Sequence, residues 1–292
     1  MRRADRRGGP AAWAFLAPAL AVYGFFAVLP VLEALGLSLF SWGASSSSPA
    51  WTGLGNFAEV FGDWVFWRAV LSNVLLAVFS VAIQLPIALM LAAVLAGRVR
   101  GRWVFRTAYF APMVVPTVVI AFFWRYFLLD YDRGLVNGAL ALCGAGRVGW
   151  LGSAASAWPA VFSAISWRYV GFHMVVLLAG VLAVPGELYE AAALDGAGVW
   201  GRFRHVTLPG VAPVLALSAM LSIVGSLKYF DLVYVMTGGR PDHTTELGAT
   251  YIYNVGIAGG RWGYGCAMAA VLLALSLAAA WGVLRVRRRV EG

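Results

Sequence analysis

The chain has 292 residues, 61% of them hydrophobic and 12% charged, with a mean hydropathy of +0.79. A soluble domain carries about 25% charged residues, so this composition excludes an ordinary water-soluble fold and points to lipid as the main solvent. The net charge of +9 comes from arginines dispersed between apolar runs, which excludes a folded basic domain for nucleic acid.

A spanning helix needs about 20 mostly apolar residues, because the hydrocarbon core is about 30 Å thick and each helical residue rises about 1.5 Å. Six stretches qualify: 11–32, 69–96, 107–128, 158–184, 211–235 and 263–286. The first follows a basic tail, residues 1–10. Its apolar run exceeds that of a signal peptide and no small-residue cleavage site follows, so it is expected to stay as a helix. Pro86, Pro112 and Pro116 fall inside helical stretches. They mark kinks beside a pathway or ordinary kinks with no further role.

Arginines near helix ends are kept on the cytoplasmic side. Arg2, Arg3, Arg6 and Arg7 precede the first stretch, Arg98, Arg100, Arg102 and Arg106 surround the second connection, Arg202 and Arg204 lie in the fourth, and Arg285, Arg287, Arg288 and Arg289 end the chain. Six helices with both termini cytoplasmic satisfy all four clusters. The loops 41–66, 130–157 and 236–262 then face outward, and Trp42, Trp51, Trp64, Trp150 and Trp262 suit the interfacial aromatic belt. With no internal repeat and only the short Ser45 to Ser48 run of low complexity, the expectation is one all-α membrane domain, 11–286, with cytoplasmic tails 1–10 and 287–292. Cys143 and Cys266 form no C-x-x-C pair and suggest neither a disulfide framework nor a thiol–metal site.

The least lipid-like segment is the loop 185–209, which is long for a simple turn. Residues 187–194 have helix-forming composition with acids in the first turn, and Gly196 and Gly198 can stop that helix. A second amphipathic piece, 199–205, carries Val199, Trp200 and Phe203 on one face with Arg202 and Arg204 elsewhere. Two short helices in an elbow read either as a docking element for another protein or as a surface loop resting on headgroups.

This segment resembles the EAA loop of the permeases of ATP-binding-cassette importers: Glu190-Ala191-Ala192, Asp195-Gly196 and the Val206-Thr207-Leu208-Pro209 ending match that family's pattern. The form running from Glu187 through Tyr189 to Ala197 is similar to its carbohydrate branch. The stretch from Tyr229 to Pro241, followed by Thr245 and Tyr251-Ile252-Tyr253, resembles the first subunit of the maltose and glycerol-phosphate permeases. The resemblance implies a type I importer permease fold in a bacterial cell membrane. It also implies a second homologous permease, an ATPase dimer that binds ATP and magnesium, and an extracytoplasmic sugar-binding protein. The coupling set it implies is Glu187, Glu190, Ala191, Ala192, Asp195, Gly196, Leu208 and Pro209. Within it Glu190 meets the ATPase, Gly196 permits the sharp turn, and Leu208-Pro209 anchors the start of the fifth helix.

The chain itself lacks a P-loop, whose pattern is G-x-x-x-x-G-K-[ST]. Its single lysine, Lys228, stands between Leu227 and Tyr229. No enzyme activity and no cofactor are therefore expected on this chain. Polar groups at membrane depth are costly and count as pathway candidates, here Asn73, Gln84, Arg168, His173, Lys228 and Asp231. The resemblance adds Trp167, Arg168, Tyr169, Phe172 and His173 on the fourth helix and Gly225, Lys228 and Tyr229 on the fifth as sugar contacts. Aromatic faces with donors and acceptors suit a sugar. The same residues also read as helix packing, a snorkelling Arg168 and a structural Lys228–Asp231 pair. His173, His205 and His243 are too scattered to suggest a metal site. A secondary transporter acting alone would need intramembrane acids, and Glu33 and Asp231 both lie near helix ends.

Overall fold

The computed structural model describes residues 10–46, 48–97 and 99–291, with side chains at all of these except 10–12, 14, 284 and 286–291. Arg2, Arg3, Arg6 and Arg7 of the basic tail, Arg98, Ser47 of the serine run and Gly292 lie outside the described residues, as do the side chains of Arg287, Arg288 and Arg289.

In chain order the described elements begin with a helix whose apolar span is Phe15–Leu37 (α1). Two short antiparallel strands follow, Phe40–Ser41 (β1) and Ala50–Trp51 (β2), with Phe40 opposite Trp51. Next come Gly55–Gly62 (α2), the span Trp64–Ala96 (α3), Arg102–Val114 (α4) and Thr117–Leu128 (α5), and Leu135–Leu142 (α6). Ala154–Leu182 (α7), Gly186–Leu194 (α8), Val199–Leu227 (α9), Asp231–Thr237 (α10), Gly248–Tyr251 (α11) and Trp262–Glu291 (α12) complete the described order. Among the described residues, α1, α3, α7, α9 and the Trp262–Val283 part of α12 are each long and apolar enough to cross a bilayer; α4 with α5 makes a sixth, broken span.

Two expected spans are corrected. The third, 107–128, is not one helix: α4 and α5 meet at 98°. Val115 and Pro116 have ψ of 135° and 136°, as a proline requires by lacking an N–H and pushing its predecessor out of the helical region. Pro112, by contrast, stays inside α4. The fifth span runs from Val199 to Leu227 and not 211–235. Its first turns carry Arg202 and Arg204, which hid them from an apolarity argument, and at its other end Lys228 leaves the helix before Asp231 opens α10. The second amphipathic piece of the elbow is thus the beginning of α9.

Pro30, Pro86 and Pro209 share one arrangement. Each stands just inside an α-helical segment that follows a π-helical turn, Gly24–Val28, Ser80–Gln84 and Phe203–Thr207 respectively. In each turn a closing amide donates to the carbonyl five residues back, as Leu85 does to Ser80. A proline ring crowds the carbonyl four residues before it and supplies no donor; widening the preceding turn relieves the crowding and keeps the helix continuous.

The chain divides into two compact units, the described residues up to Asp63 with Ile252–Val271, and Trp64–Tyr251 with the residues from Leu272 onward. Within the first, Arg261 pairs with both Glu59 oxygens at 2.7 Å and lies over the Tyr264 ring, whose hydroxyl donates to Asp63 at 2.7 Å. The second unit holds two buried apolar clusters. Ala88, Leu89, Ala92 and Leu95 of α3 meet Met174, Leu177 and Val181 of α7 with Val211 of α9. Farther along, Leu76, Ile120, Ile165, Leu232 and Met236 form the other. Gly171 lets α7 approach α4 so closely that a Cβ there would strike the Tyr109 carbonyl.

Candidate functional site

The elbow is built from α8, its terminating glycine and the start of α9. Glu187 occupies the first turn of α8, where the unpaired amides favour an acid. At the other end Ala197 N–H donates to the Ala192 carbonyl at 2.9 Å and Gly196 N–H to Ala193 at 3.1 Å. That pair of bonds is a Schellman closure, which requires a left-handed residue, and Gly196 supplies it at φ +81°. The Tyr189 hydroxyl lies 3.1 Å from Thr207 Oγ1 and ties α8 to α9. Glu187, Glu190, Ala191, Asp195, Gly196, Leu208 and Pro209 are exposed and Ala192 is half-buried. Leu194 is 89% and Val199 79% exposed, so the elbow presents apolar knobs among its acids. Leu208 and Pro209 do not begin the fifth span; they lie inside α9 directly after the π turn, because Pro209 widens the helix without ending it.

At the far end of α9 a cavity of about 110 Å³ opens between α3, α7 and α9. Ser80 and Gln84 line it from α3, Tyr169, Phe172 and His173 from α7, and Ser222, Gly225, Ser226 and Tyr229 from α9 and the residues after it. His173 Nε2 and Ser222 Oγ are hydrogen-bonded at 3.1 Å. A neighbouring cavity of about 200 Å³ shares Tyr169, Gly225 and Tyr229 and adds Thr117, Lys228 and Asp231.

Of the eight residues expected on the pathway, five line the first cavity and Lys228 the second. Trp167 and Arg168 line neither. Trp167 stacks on Phe123 at 5.9 Å. Arg168 is 9% exposed, and its Nη1 donates to the Val115 carbonyl at 2.6 Å. It neither snorkels to an interface nor faces the cavities: the break at Pro116 leaves a carbonyl without a helical partner, and Arg168 supplies the donor. No ion pair joins Lys228 to Asp231 among the described residues. Asn73 is structural, its Nδ2 donating to the Ser226 carbonyl at 2.7 Å and its Oδ1 accepting from Gly248 N–H at 2.8 Å.

Ser80, Thr117, Ser222 and Ser226 were not singled out from the sequence. A signal existed in the spacing, since Ser218, Ser222 and Ser226 recur every fourth residue along an apolar run and so share one helix face. Serine is a weak signal because its hydroxyl can bond its own helix backbone. Among the described residues no group of three or more His, Cys, Asp and Glu side chains could hold a metal ion.

Residues 84–292 match the model of the binding-protein-dependent transport system inner membrane component family, and the chain belongs to that family. It is a multi-pass permease of the importer class. It is 35% identical over 268 residues to the "Probable ABC transporter permease protein YurN" of Bacillus subtilis, covering 90% of this chain and 91% of that one. It is 33% identical over 274 residues to the trehalose/maltose transport system permease MalF of Thermococcus litoralis, covering 93% and 91%. Among solved structures, a chain of the bacterial ABC transporter involved in import of the acidic polysaccharide alginate superposes with a TM-score of 0.84 at 25% identity, over 97% of this chain and 96% of that one.

Proposed function

We propose that this chain is one of two homologous permease subunits of an ATP-driven sugar importer in the bacterial plasma membrane, with both termini and the 185–209 elbow cytoplasmic. It forms half of the translocation path. A partner ATPase dimer binds ATP and magnesium and grips the elbow, and an extracytoplasmic protein delivers the sugar.

The observation that carries this reading is the continuity of α9. Val199 belongs to the elbow and Ser222 to the cavity, and the same unbroken helix joins them over about 35 Å at about 1.5 Å per residue. Force applied at Glu190 and Gly196 reaches Ser222 and Gly225 through that rod, which suits rocking between outward and inward access. Trehalose/maltose and lactose permeases among the relatives support a sugar as cargo.

The test is ATP-dependent uptake by the complex reconstituted with its genomic partners, comparing wild type with Glu190→Lys and Gly196→Val. Variants that insert normally but lose uptake and ATPase co-purification uphold the reading. Normal transport by both variants removes the elbow from the mechanism and favours a transporter that works without an ATPase.

A further inference from the structure

We propose that Gln84 and Ser80 of α3 form a further wall of the translocation path, which reads the hydroxyls of an uncharged sugar beside His173 and Ser222. This rests on the importer reading above; it separates Gln84 from Asn73, both pathway candidates by their polarity at membrane depth, and adds Ser80 to the α7 and α9 positions.

The contrast between two amides on α3 carries the inference. Asn73 uses both ends of its amide to fasten α3 to the Ser226 carbonyl and the Gly248 amide. Gln84 is just as buried, 1% exposed, yet its amide has no hydrogen-bond partner among the described residues and lines the cavity. Ser80, 5% exposed and one turn away on the same face, is likewise without a partner there. An unpaired amide buried among apolar side chains is costly, and native interiors pair such groups nearly always. Leucine or methionine would fill the same space without that cost, so an unpaired Gln–Ser face implies an occupant that pairs it.

The local backbone presents this face. Ser80–Gln84 is the π-helical turn forced by Pro86, and such turns cluster at functional sites because they re-aim side chains within an otherwise regular helix.

The chemistry of the cavity specifies the occupant. A glutamine amide offers an acceptor and two donors, and a serine hydroxyl offers both roles. Across the cavity, His173 Nε2 and Ser222 Oγ, hydrogen-bonded to each other at 3.1 Å, line the facing wall together with Tyr169, Ser226 and Tyr229. Donors and acceptors arriving from three helices match a ligand whose groups both donate and accept, which is what a sugar hydroxyl does. No Asp, Glu, Lys or Arg side chain lines this cavity. Lys228 and Asp231 line the neighbouring one together, and Arg168 stays behind the lining, its guanidinium over the Tyr169 ring and its Nη1 bonded to the Val115 carbonyl. A carboxylate entering here would lose its water with no cation in the lining itself to receive it.

The test uses the complex reconstituted with its genomic partners, carrying C143S and C266A so that introduced thiols are the only ones in this chain. In Gln84→Cys and Ser80→Cys variants, a water-soluble methanethiosulfonate should react at least tenfold faster in one of the nucleotide-free and vanadate-trapped states than in the other. No reaction in either state overturns the pathway assignment. Uptake is then measured with maltose, trehalose, lactose and a glucuronate-containing disaccharide as probes. Wild type should favour a neutral disaccharide at least tenfold over the glucuronate. Gln84→Leu should raise KM for that disaccharide at least tenfold, while ATPase stimulation by the binding protein persists. Equal uptake of the glucuronate, or an unchanged KM in Gln84→Leu, overturns hydroxyl reading and leaves the importer intact. State-dependent labelling without uptake of any probe overturns the neutral-disaccharide assignment and leaves the wall assignment standing.

Discussion

Gly196 stands in open space, with nothing within 4 Å of the position a Cβ would take, while its φ of +81° lies where side chains strain the backbone. Conformation and not volume therefore fixes the residue. Left-handed geometry costs an ordinary L-residue roughly 1–2 kcal/mol, and asparagine suffers least. The expected order of ATPase co-purification and uptake is glycine, then Gly196→Asn, then Gly196→Ala, then Gly196→Val; alanine outperforming asparagine would show that size governs the site. Arg168 makes the opposite case, because its neighbours define it. Arg168→Met leaves the part-buried Val115 carbonyl unpaired, a loss of at most about 1–3 kcal/mol. The melting temperature in detergent should fall, and the sugar KM of the surviving folded complex should stay near wild type because Arg168 lines neither cavity. A raised KM with an unchanged melting temperature would return Arg168 to the pathway.

At the scale of the element, prolines decide where helices widen and where they break. Pro86→Ala restores an amide to α3 and allows Ser80–Gln84 to close with ordinary four-residue bonds. Each residue of an α-helix turns by about 100°, so losing the extra residue of the π turn swings part of this face away from the cavity. The variant should insert and melt at least as high as wild type, yet lose uptake about tenfold in the reconstituted complex; full uptake would mean that the π turn has no part in presenting Gln84. These elements also show what the sequence made legible. Lipid demands long apolar runs, so the spans could be read directly, and the stop of α8 was visible as glycines following a helix-forming run. The 98° break was not, because Pro112 and Pro116 look alike in sequence. Only Pro116 gains from a carbonyl acceptor answered by Arg168, 53 residues away. The continuity of α9 was hidden for a different reason: Arg202 and Arg204 interrupt its apolarity but not its backbone bonds.

For the whole molecule, exposed apolar surface alone does not call for a protein partner, because lipid tails are as apolar as leucine. None of the apolar window of α1 is buried, and lipid can cover it. Charge is the discriminating feature. Lys228 and Asp231 are exposed where α9 ends, line a cavity together and form no ion pair among the described residues. Hydrocarbon would not solvate that face, so in the membrane it borders water or another protein. If a second permease completes the path there, the pair purified together should melt several degrees above this subunit alone. Lys228→Met combined with Asp231→Asn should narrow the gap by stabilising the lone subunit, because the groups it leaves uncovered are then neutral, while lowering uptake in the assembled complex. A lone subunit as stable as the pair, and unmoved by the double substitution, would mean that this face is already satisfied within one chain.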